Sequence, residues 1–157
     1  MPKTLILYYS RTGNTEKMAE AVAEGVRAIQ GVEADLTFHA TPEELADYDA
    51  IAIGVPTYHH DMTVDIKNLF ERVALKNVNL KSKIGAAFGS YGWSGEAPRL
   101  VSEIMKNRFE MQLLESPLLV KYTPDKAGLE KCRQLGKEVA QKLITRTHGM
   151  HANREIS

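Results

Sequence analysis

The chain has 157 residues, which is the length of one ordinary domain. Its composition, with 43% hydrophobic and 25% charged residues, is average for a globular protein and excludes a disordered chain or a fibrous repeat. Lysine and arginine together number 20, as do aspartate and glutamate, so the balanced charge gives no support for binding to nucleic acid.

The single cysteine and the N-terminus bear on the cell compartment. Cys132 can form no internal disulfide, so nothing indicates an oxidising compartment. Residues 1–9 contain only a short apolar run, without the long apolar region and the cleavage site of a signal peptide. No stretch approaches the roughly 20 apolar residues that cross a bilayer. We therefore expect a cytoplasmic protein that has no membrane partner.

Along the chain, short apolar runs alternate with longer segments of helical periodicity. Strands are predicted at 4–9, 32–39, 49–55 and 83–89, with a fifth region at 113–120 that Pro117 interrupts. Apolar stripes predict helices at 18–29, 66–73, 100–105 and 129–143. The strand at 32–39 alternates apolar and polar side chains, which is typical of the edge of a sheet. Residues 147–157 show no periodicity and are expected to form a flexible tail.

The order of these elements indicates where a ligand would bind. Strands that alternate with helices predict a parallel sheet covered by helices on both faces. Such sheets bind ligands beyond the carboxyl ends of their strands, at the point where the strand order reverses. The segments that follow the first, third and fourth predicted strands are therefore the candidate site.

The first of these segments, Ser10-Arg11-Thr12-Gly13-Asn14-Thr15, leads directly into a helix. Gly13 permits close approach of the backbone, the hydroxyl and amide side chains are donors, and a helix N-terminus supplies unpaired N–H groups. The pattern fits a phosphate site, and a polar turn that caps the helix explains the same residue types. No Gly-x-x-x-x-Gly-Lys run and no Gly-x-Gly-x-x-Gly run occurs, which argues against a nucleoside triphosphatase and a nicotinamide site.

The second segment, Pro56-Thr57-Tyr58-His59-His60-Asp61, carries an aromatic residue where a loop tip is usually small and polar. Tyr58 could stack on a flat aromatic ligand. His59, His60 and Asp61 are candidate metal ligands, but no cysteine and no known zinc spacing accompanies them. Solvated histidines that line the site are favoured instead. Thr63 is the candidate cap of the helix that follows.

The third segment, Gly89-Ser90-Tyr91-Gly92-Trp93-Ser94-Gly95, contains the only tryptophan of the chain among glycines. The glycines expose backbone N–H groups, and Tyr91 and Trp93 offer aromatic surface to a ring. The alternative is a tryptophan that folds back over the end of the sheet. Together, the three segments suit a ligand with a phosphate at one end and a planar heterocycle at the other.

At these residues the sequence resembles the flavodoxin family. The segment from Ser10 to Thr15 resembles its phosphate loop, and the Pro-Thr-Tyr and glycine–aromatic segments resemble the two loops that hold the flavin ring. The run from Phe88 to Ala97 is more specific, since it resembles the flavodoxin module of flavodiiron proteins, the A-type flavoproteins. The similarity extends to about Leu143.

The resemblance implies a three-layer, doubly wound, flavodoxin-like α/β fold whose five-stranded parallel sheet has the order 2-1-3-4-5. It implies a flavodoxin-like domain at 1–146 that binds FMN without a covalent bond. The residues implied around the phosphate are Ser10, Arg11, Thr12, Gly13, Asn14 and Thr15. Those implied around the isoalloxazine ring are Pro56, Thr57, Tyr58, His59, His60, Ser90, Tyr91, Gly92, Trp93, Ser94 and Gly95.

The function that the resemblance implies is electron transfer, in which the FMN protein shuttles one or two electrons between redox protein donors and acceptors. The alternative is an FMN-dependent NAD(P)H:quinone or flavin reductase of the same fold, although no feature of the sequence marks a second substrate site. A flavin-free phosphoacceptor module is disfavoured because Tyr8-Tyr9-Ser10 stands where paired acidic residues are expected. Diiron chemistry is not expected, because the chain begins at the flavodoxin module. The sequence does not specify the oligomeric state.

Overall fold

The computed structural model describes residues 1–10, 13–57, 61–92, 94–114 and 116–156, with side chains through residue 147. Within these ranges the chain forms six strands and five helices. The strands are β1 (Lys3–Tyr8), β2 (Glu33–Thr37), β3 (Ala50–Gly54), β4 (Ile84–Tyr91), β5 (Gln112–Leu113) and β6 (Leu118–Lys121). The helices are α1 (Asn14–Arg27), α2 (Pro42–Leu45), α3 (Val64–Leu75), α4 (Glu96–Asn107) and α5 (Lys126–Ile156).

The strands form one sheet of order β2-β1-β3-β4-β5, and every pairing among them is parallel. The predicted order 2-1-3-4-5 is therefore confirmed, and the edge position predicted for the second strand is confirmed with it. The fifth strand consists of two pieces, as the proline in this region predicted. The short β5 pairs with the start of β4 at Ile84 and Gly85, and β6 pairs with its end from Phe88 to Tyr91.

Successive side chains of the central strands enter two separate hydrophobic cores, because they point to opposite faces of the sheet. Ile6 packs in the core that α1 and α5 cover. Its neighbours Leu5 and Leu7 pack in the core that α2, α3 and α4 cover. All three side chains are at most 2% exposed. The three-layer arrangement predicted from the alternation of strands and helices is thus confirmed.

Helices α1 and α5 approach each other closely enough for their backbones to touch. A Cβ atom added to Gly25 of α1 would lie 2.0 Å from the backbone oxygen of Arg133, and one added to Gly136 of α5 would lie 2.0 Å from that of Val22. Cys132 is fully buried at this interface, as expected from its place on the apolar stripe. Burial raises the pKa of its thiol to about 12, so the group is unreactive near neutral pH.

Two features of the helices go beyond the apolar pattern. The short α2 was not predicted, although Thr41-Pro42-Glu43-Glu44 is a helix-start signature, and the Glu44 N–H donates to the Thr41 hydroxyl over 3.3 Å. Helix α5 continues to Ile156, well past the apolar stripe that ended at Leu143. The division into a domain at 1–146 and a flexible tail stays a prediction. In the part of the chain that the structure describes, no helix has an apolar stretch long enough to span a membrane.

Candidate functional site

The candidate site lies where β1, β3 and β4 end. In the register of the sheet, Tyr8 pairs with Gly54 and Gly54 pairs with Phe88, so the three strands reach the same edge together. β4 continues to Tyr91 beyond that level. The three segments that the sequence analysis singled out leave the sheet at this edge, which is where parallel sheets bind ligands.

The first loop is shaped by a glycine at the start of α1. Gly13 is the N-cap residue and adopts the left-handed conformation, with φ of 88°. Its N–H donates to the Ser10 hydroxyl over 3.0 Å, and its carbonyl accepts from the Lys17 N–H over 3.0 Å. Apart from its chain neighbours, no described residue has an atom within 4 Å of the position that a Cβ would take. The start of α1 therefore offers open space beside helix N–H groups that lack carbonyl partners in the helix, which suits an anion.

A buried pair of hydroxyls joins the first loop to the third. The Oγ1 of Thr15 and the Oγ of Ser90 lie 3.1 Å apart, although the two residues are 75 positions apart in the chain. Thr15 is 1% exposed and Ser90 is 7% exposed. One hydroxyl donates to the other, so the accepting hydroxyl retains a proton that it can donate to a ligand.

A second hydroxyl joins the second loop to α4. The Oγ1 of Thr57 accepts the N–H of Ala97 over 3.0 Å. Ala97 is fully buried in the first turn of α4, directly after the third loop. The N–H group of a first turn has no carbonyl partner within its own helix, so Thr57 satisfies a donor that burial would otherwise leave unpaired.

At the end of the second loop, Asp61 is held by two donors. Its carboxylate accepts the Met62 N–H over 2.8 Å and pairs with the ammonium group of Lys67 in α3. The bond to Lys67 lowers the pKa of the Asp61 carboxyl. Thr63 occupies the N-cap position of α3 as predicted, but its side chain makes no capping bond, and its buried Oγ1 has no hydrogen-bond partner among the described residues.

The third loop packs tightly against its neighbours. A Cβ on Gly89 would lie 1.8 Å from the carbonyl oxygen of Val55, so only glycine permits this approach of β4 to the second loop. A Cβ on Gly95 would lie 3.0 Å from the Leu119 side chain in β6. The N–H of Tyr122, directly after β6, donates to the carbonyl oxygen of Tyr91, and its ring lies 3.5 Å from the position that a Cβ on Gly92 would take. Tyr122 was not predicted at this edge, because no local motif marks a residue that reaches the loop through the pairing of β6 with β4.

A cavity of about 1140 Å³ opens on the β2 side of the same edge. Its walls include Tyr9, Ser10, Phe38, Pro56, Thr63 and Asn68. Ser10 and Pro56 are the two described residues that this cavity shares with the predicted flavin site. The cavity therefore adjoins the first and second loops without extending to the described part of the third.

The structure brings the described members of the predicted site to one edge of the sheet. These are Ser10, Gly13, Asn14, Thr15, Pro56, Thr57, Ser90, Tyr91, Gly92, Ser94 and Gly95. Arg11, Thr12, Tyr58, His59, His60 and Trp93 lie outside the described residues. Among the described residues, no group of three or more histidine, cysteine, aspartate or glutamate side chains could hold a metal ion. That these residues contact a cofactor stays a prediction.

Comparison with known proteins gives a consistent result. The family model for flavodoxins matches residues 6–136. The type A flavoprotein fprA of Rhodobacter capsulatus is 37% identical over 98% of this chain, which corresponds to 35% of the length of that protein. The chain spans about a third of the length of the curated relatives that it matches.

Two solved structures extend the comparison. A flavodoxin from the domain Archaea is 35% identical with a TM-score of 0.82, and the match covers 89% of this chain and 97% of that one. Rubredoxin oxygen:oxidoreductase of Desulfovibrio gigas is 27% identical with a TM-score of 0.83, over 92% of this chain and 37% of that one.

Proposed function

The chain belongs to the flavodoxin family, and on that premise we propose that it is an electron carrier that passes one or two electrons between redox proteins. Proteins of this family bind FMN and transfer electrons, and FMN is the cofactor of this chain. The proposal concerns the flavodoxin domain that the comparisons match. It includes no activity of the other parts of the longer relatives.

The strongest support for the proposal is the way the three loops are joined. Thr15 and Ser90 connect the first loop to the third, and Thr57 connects the second loop to the helix after the third. A ligand that touched all three loops would therefore meet a preorganised surface, which lowers the entropy lost on binding. FMN is long enough to do so, because its phosphate and its ring lie at opposite ends of the ribityl chain.

The residues at the edge fit the two ends of FMN. We assign the phosphate to the open space at Gly13, with the hydroxyls of Ser10 and Thr15 and the first N–H groups of α1 as donors. From the sequence, we assign three further residues to the same phosphate site, namely Arg11, Thr12 and Asn14. The space on the side of Gly13 where a Cβ would lie is open among the described residues, which favours the approach of a ligand to the helix start.

We assign the isoalloxazine ring to the second and third loops, where Pro56, Thr57 and the segments 90–92 and 94–95 belong to the described part. Tyr58, His59, His60 and Trp93 complete the assignment from the sequence. When bound, FMN supplies one-electron and two-electron transfer, and the protein sets its potentials and limits access to it. A cytoplasmic location is part of the same proposal.

The visible absorption spectrum of the purified protein is the first test. We expect flavin absorption bands and a chromophore that is identified after extraction as FMN. Protein freed of flavin should regain the bands with FMN and bind riboflavin, which lacks the phosphate, more weakly. A preparation that stays colourless after incubation with FMN would overturn the proposal.

A second test separates the carrier from the reductase. We expect NAD(P)H to reduce the flavin only when a separate flavodoxin reductase is added, and the reduced protein then to pass electrons to an added redox protein. Steady oxidation of NAD(P)H with a quinone, in the absence of any reductase, would show that the protein is a self-sufficient oxidoreductase.

A further inference from the structure

Tyr122 lies beside the third loop because of the pairing of two strands. In the register of β4 and β6, Tyr91 pairs with Lys121. The residues that follow these two strands, Gly92 and Tyr122, therefore leave the sheet together. The N–H of Tyr122 donates to the carbonyl oxygen of Tyr91 over 2.6 Å. Tyr122 is thereby fixed to the last residue of β4.

The backbone of Tyr122 is strained. Its φ of 58° lies in the left-handed region, which residues with a bulky side chain adopt only at a cost. Burial does not compensate for this cost, because the side chain is 60% exposed. Glycine or asparagine would adopt the same conformation more easily. The fold alone therefore gives no reason for an aromatic residue at this position.

The aromatic ring of Tyr122 lies beside Gly92 of the third loop. Its Cε1 and Cδ1 atoms would be 3.5 and 3.8 Å from a Cβ on Gly92. The ammonium group of Lys121 lies 5.3 Å from the ring centroid, within the range of a cation–π interaction. The ring therefore lies close to both Lys121 and Gly92, and Gly92 belongs to the loop that we assign to the flavin ring.

We propose that Tyr122 is a positioning residue for the isoalloxazine ring, which rests on the function proposed above. Its ring supports the backbone at Gly92 and holds the third loop in the conformation that binds the flavin. The strain at Tyr122 is the cost of placing an aromatic ring there, as is common where backbone strain occurs at functional sites.

The test uses thermal unfolding and flavin titration of the same variants. Tyr122→Gly and Tyr122→Asn both remove the ring and relieve the strain. We expect the unfolding temperature of the flavin-free protein to rise, while the dissociation constants for FMN and for riboflavin both increase about three- to ten-fold. Equal increases for the two flavins are expected because Tyr122 acts on the ring and not on the phosphate.

Two matched variants complete the experiment. Tyr122→Phe keeps the ring, and we expect it to retain both the affinity and the unfolding temperature of the wild type. Ser82→Gly relieves a similar strain, at φ of 67°, outside the three loops. We expect it to raise the unfolding temperature without changing the affinity for either flavin.

A purely structural role of Tyr122 would not change stability and flavin affinity in opposite directions. An unchanged flavin affinity in Tyr122→Gly and Tyr122→Asn would overturn the inference, as would a fall in both stability and affinity. Loss of affinity in Tyr122→Phe would also overturn it, because the ring alone would then be insufficient. A wild-type protein that binds neither flavin would refute the proposed function itself. If the wild type binds flavin and the variants give one of the overturning results above, only this inference is refuted.

Discussion

The interface between α1 and α5 and the loop edge above β1, β3 and β4 are held together by different means. At the interface, two glycines let the helix backbones touch, the packed side chains are apolar and buried, and an ion pair joins Arg133 to Glu24. At the loop edge, side-chain hydrogen bonds join the segments, one between Thr15 and Ser90 and one that the Ala97 N–H donates to Thr57. The first region stabilises the fold mainly by close packing, and the second joins the segments of the proposed flavin site by polar contacts between side chains and backbone. Substitutions should therefore affect the two regions to different extents.

The largest effect is expected from Gly136→Ala at the interface. Alanine in the interior of a helix usually stabilises by about 1 kcal/mol relative to glycine. Here the new Cβ would lie 2.0 Å from the backbone oxygen of Val22, which cannot rotate away as a side chain could. Overpacking of this kind outweighs the helix preference, so we expect a net loss of about 2–3 kcal/mol. Urea unfolding of the variant and the wild type measures this difference.

Gly128→Ala in the same helix is the matched control. Its Cβ would meet atoms of the Asp125 and Val120 side chains at 3.2 Å, and a side chain can yield by a few tenths of an ångström. We expect a change within about 0.5 kcal/mol. Equal losses in the two variants would mean that backbone contact is not what distinguishes the interface.

How much the sequence predicts differs between the same two regions. The apolar stripes predicted a buried face on each of the helices α1 and α5, because burial of one helical face imposes a regular spacing. The stripes did not predict that the backbones touch at Gly25 and Gly136, because a glycine within a helix does not by itself indicate a close contact between backbones. The strand order followed from the family resemblance, and the pairing of β4 with both β5 and β6 agrees with the break at Pro117.

At the loop edge, the residue types were predictable and their partners were not. The segments after the first, third and fourth strands converge as the topology required. The bond between Thr15 and Ser90 joins positions 75 residues apart, and no local pattern encodes such a pair. Tyr122 was missed for the same reason, because its place beside Gly92 depends on strand register and on a left-handed backbone.

An intermediate effect is expected at the hydroxyl pair. Thr15→Val keeps the shape of the side chain but leaves the buried hydroxyl of Ser90 without this partner. An unpaired buried hydroxyl costs about 1–2 kcal/mol, less than the loss expected for Gly136→Ala. We expect this loss in the urea unfolding of the flavin-free protein, together with weaker binding of FMN.

The double variant Thr15→Val/Ser90→Ala tests whether the pair acts as a unit. Removal of both hydroxyls leaves no orphaned polar group, so the double variant should lose less stability than the sum of the two single variants. Strictly additive losses would show that the two hydroxyls do not stabilise each other, and the first and third loops would then be held by other contacts.

The smallest effect is expected at the one ion pair described beside these loops, between Asp61 and Lys67. The bond to Lys67 lowers the pKa of Asp61 in the folded protein below its value in the unfolded chain, which is about 3.9. The contribution of the pair to stability is therefore fully present above that pH and is lost as the pH falls through the folded pKa. Both side chains are more than 40% exposed, so we expect only a few tenths of a kcal/mol.

Asp61→Asn isolates this charge, because the amide oxygen can still accept the Met62 N–H. The variant should be slightly less stable than the wild type in urea at pH 7, and the difference should shrink as the pH falls below about 3.9 and also in high salt. A difference that exceeds the coupling between Thr15 and Ser90, or that does not shrink as the pH falls below that value, would contradict this expectation. The loop edge would then depend on charge more than on its buried hydroxyls, and its contrast with the α1–α5 interface would have to be explained by electrostatics.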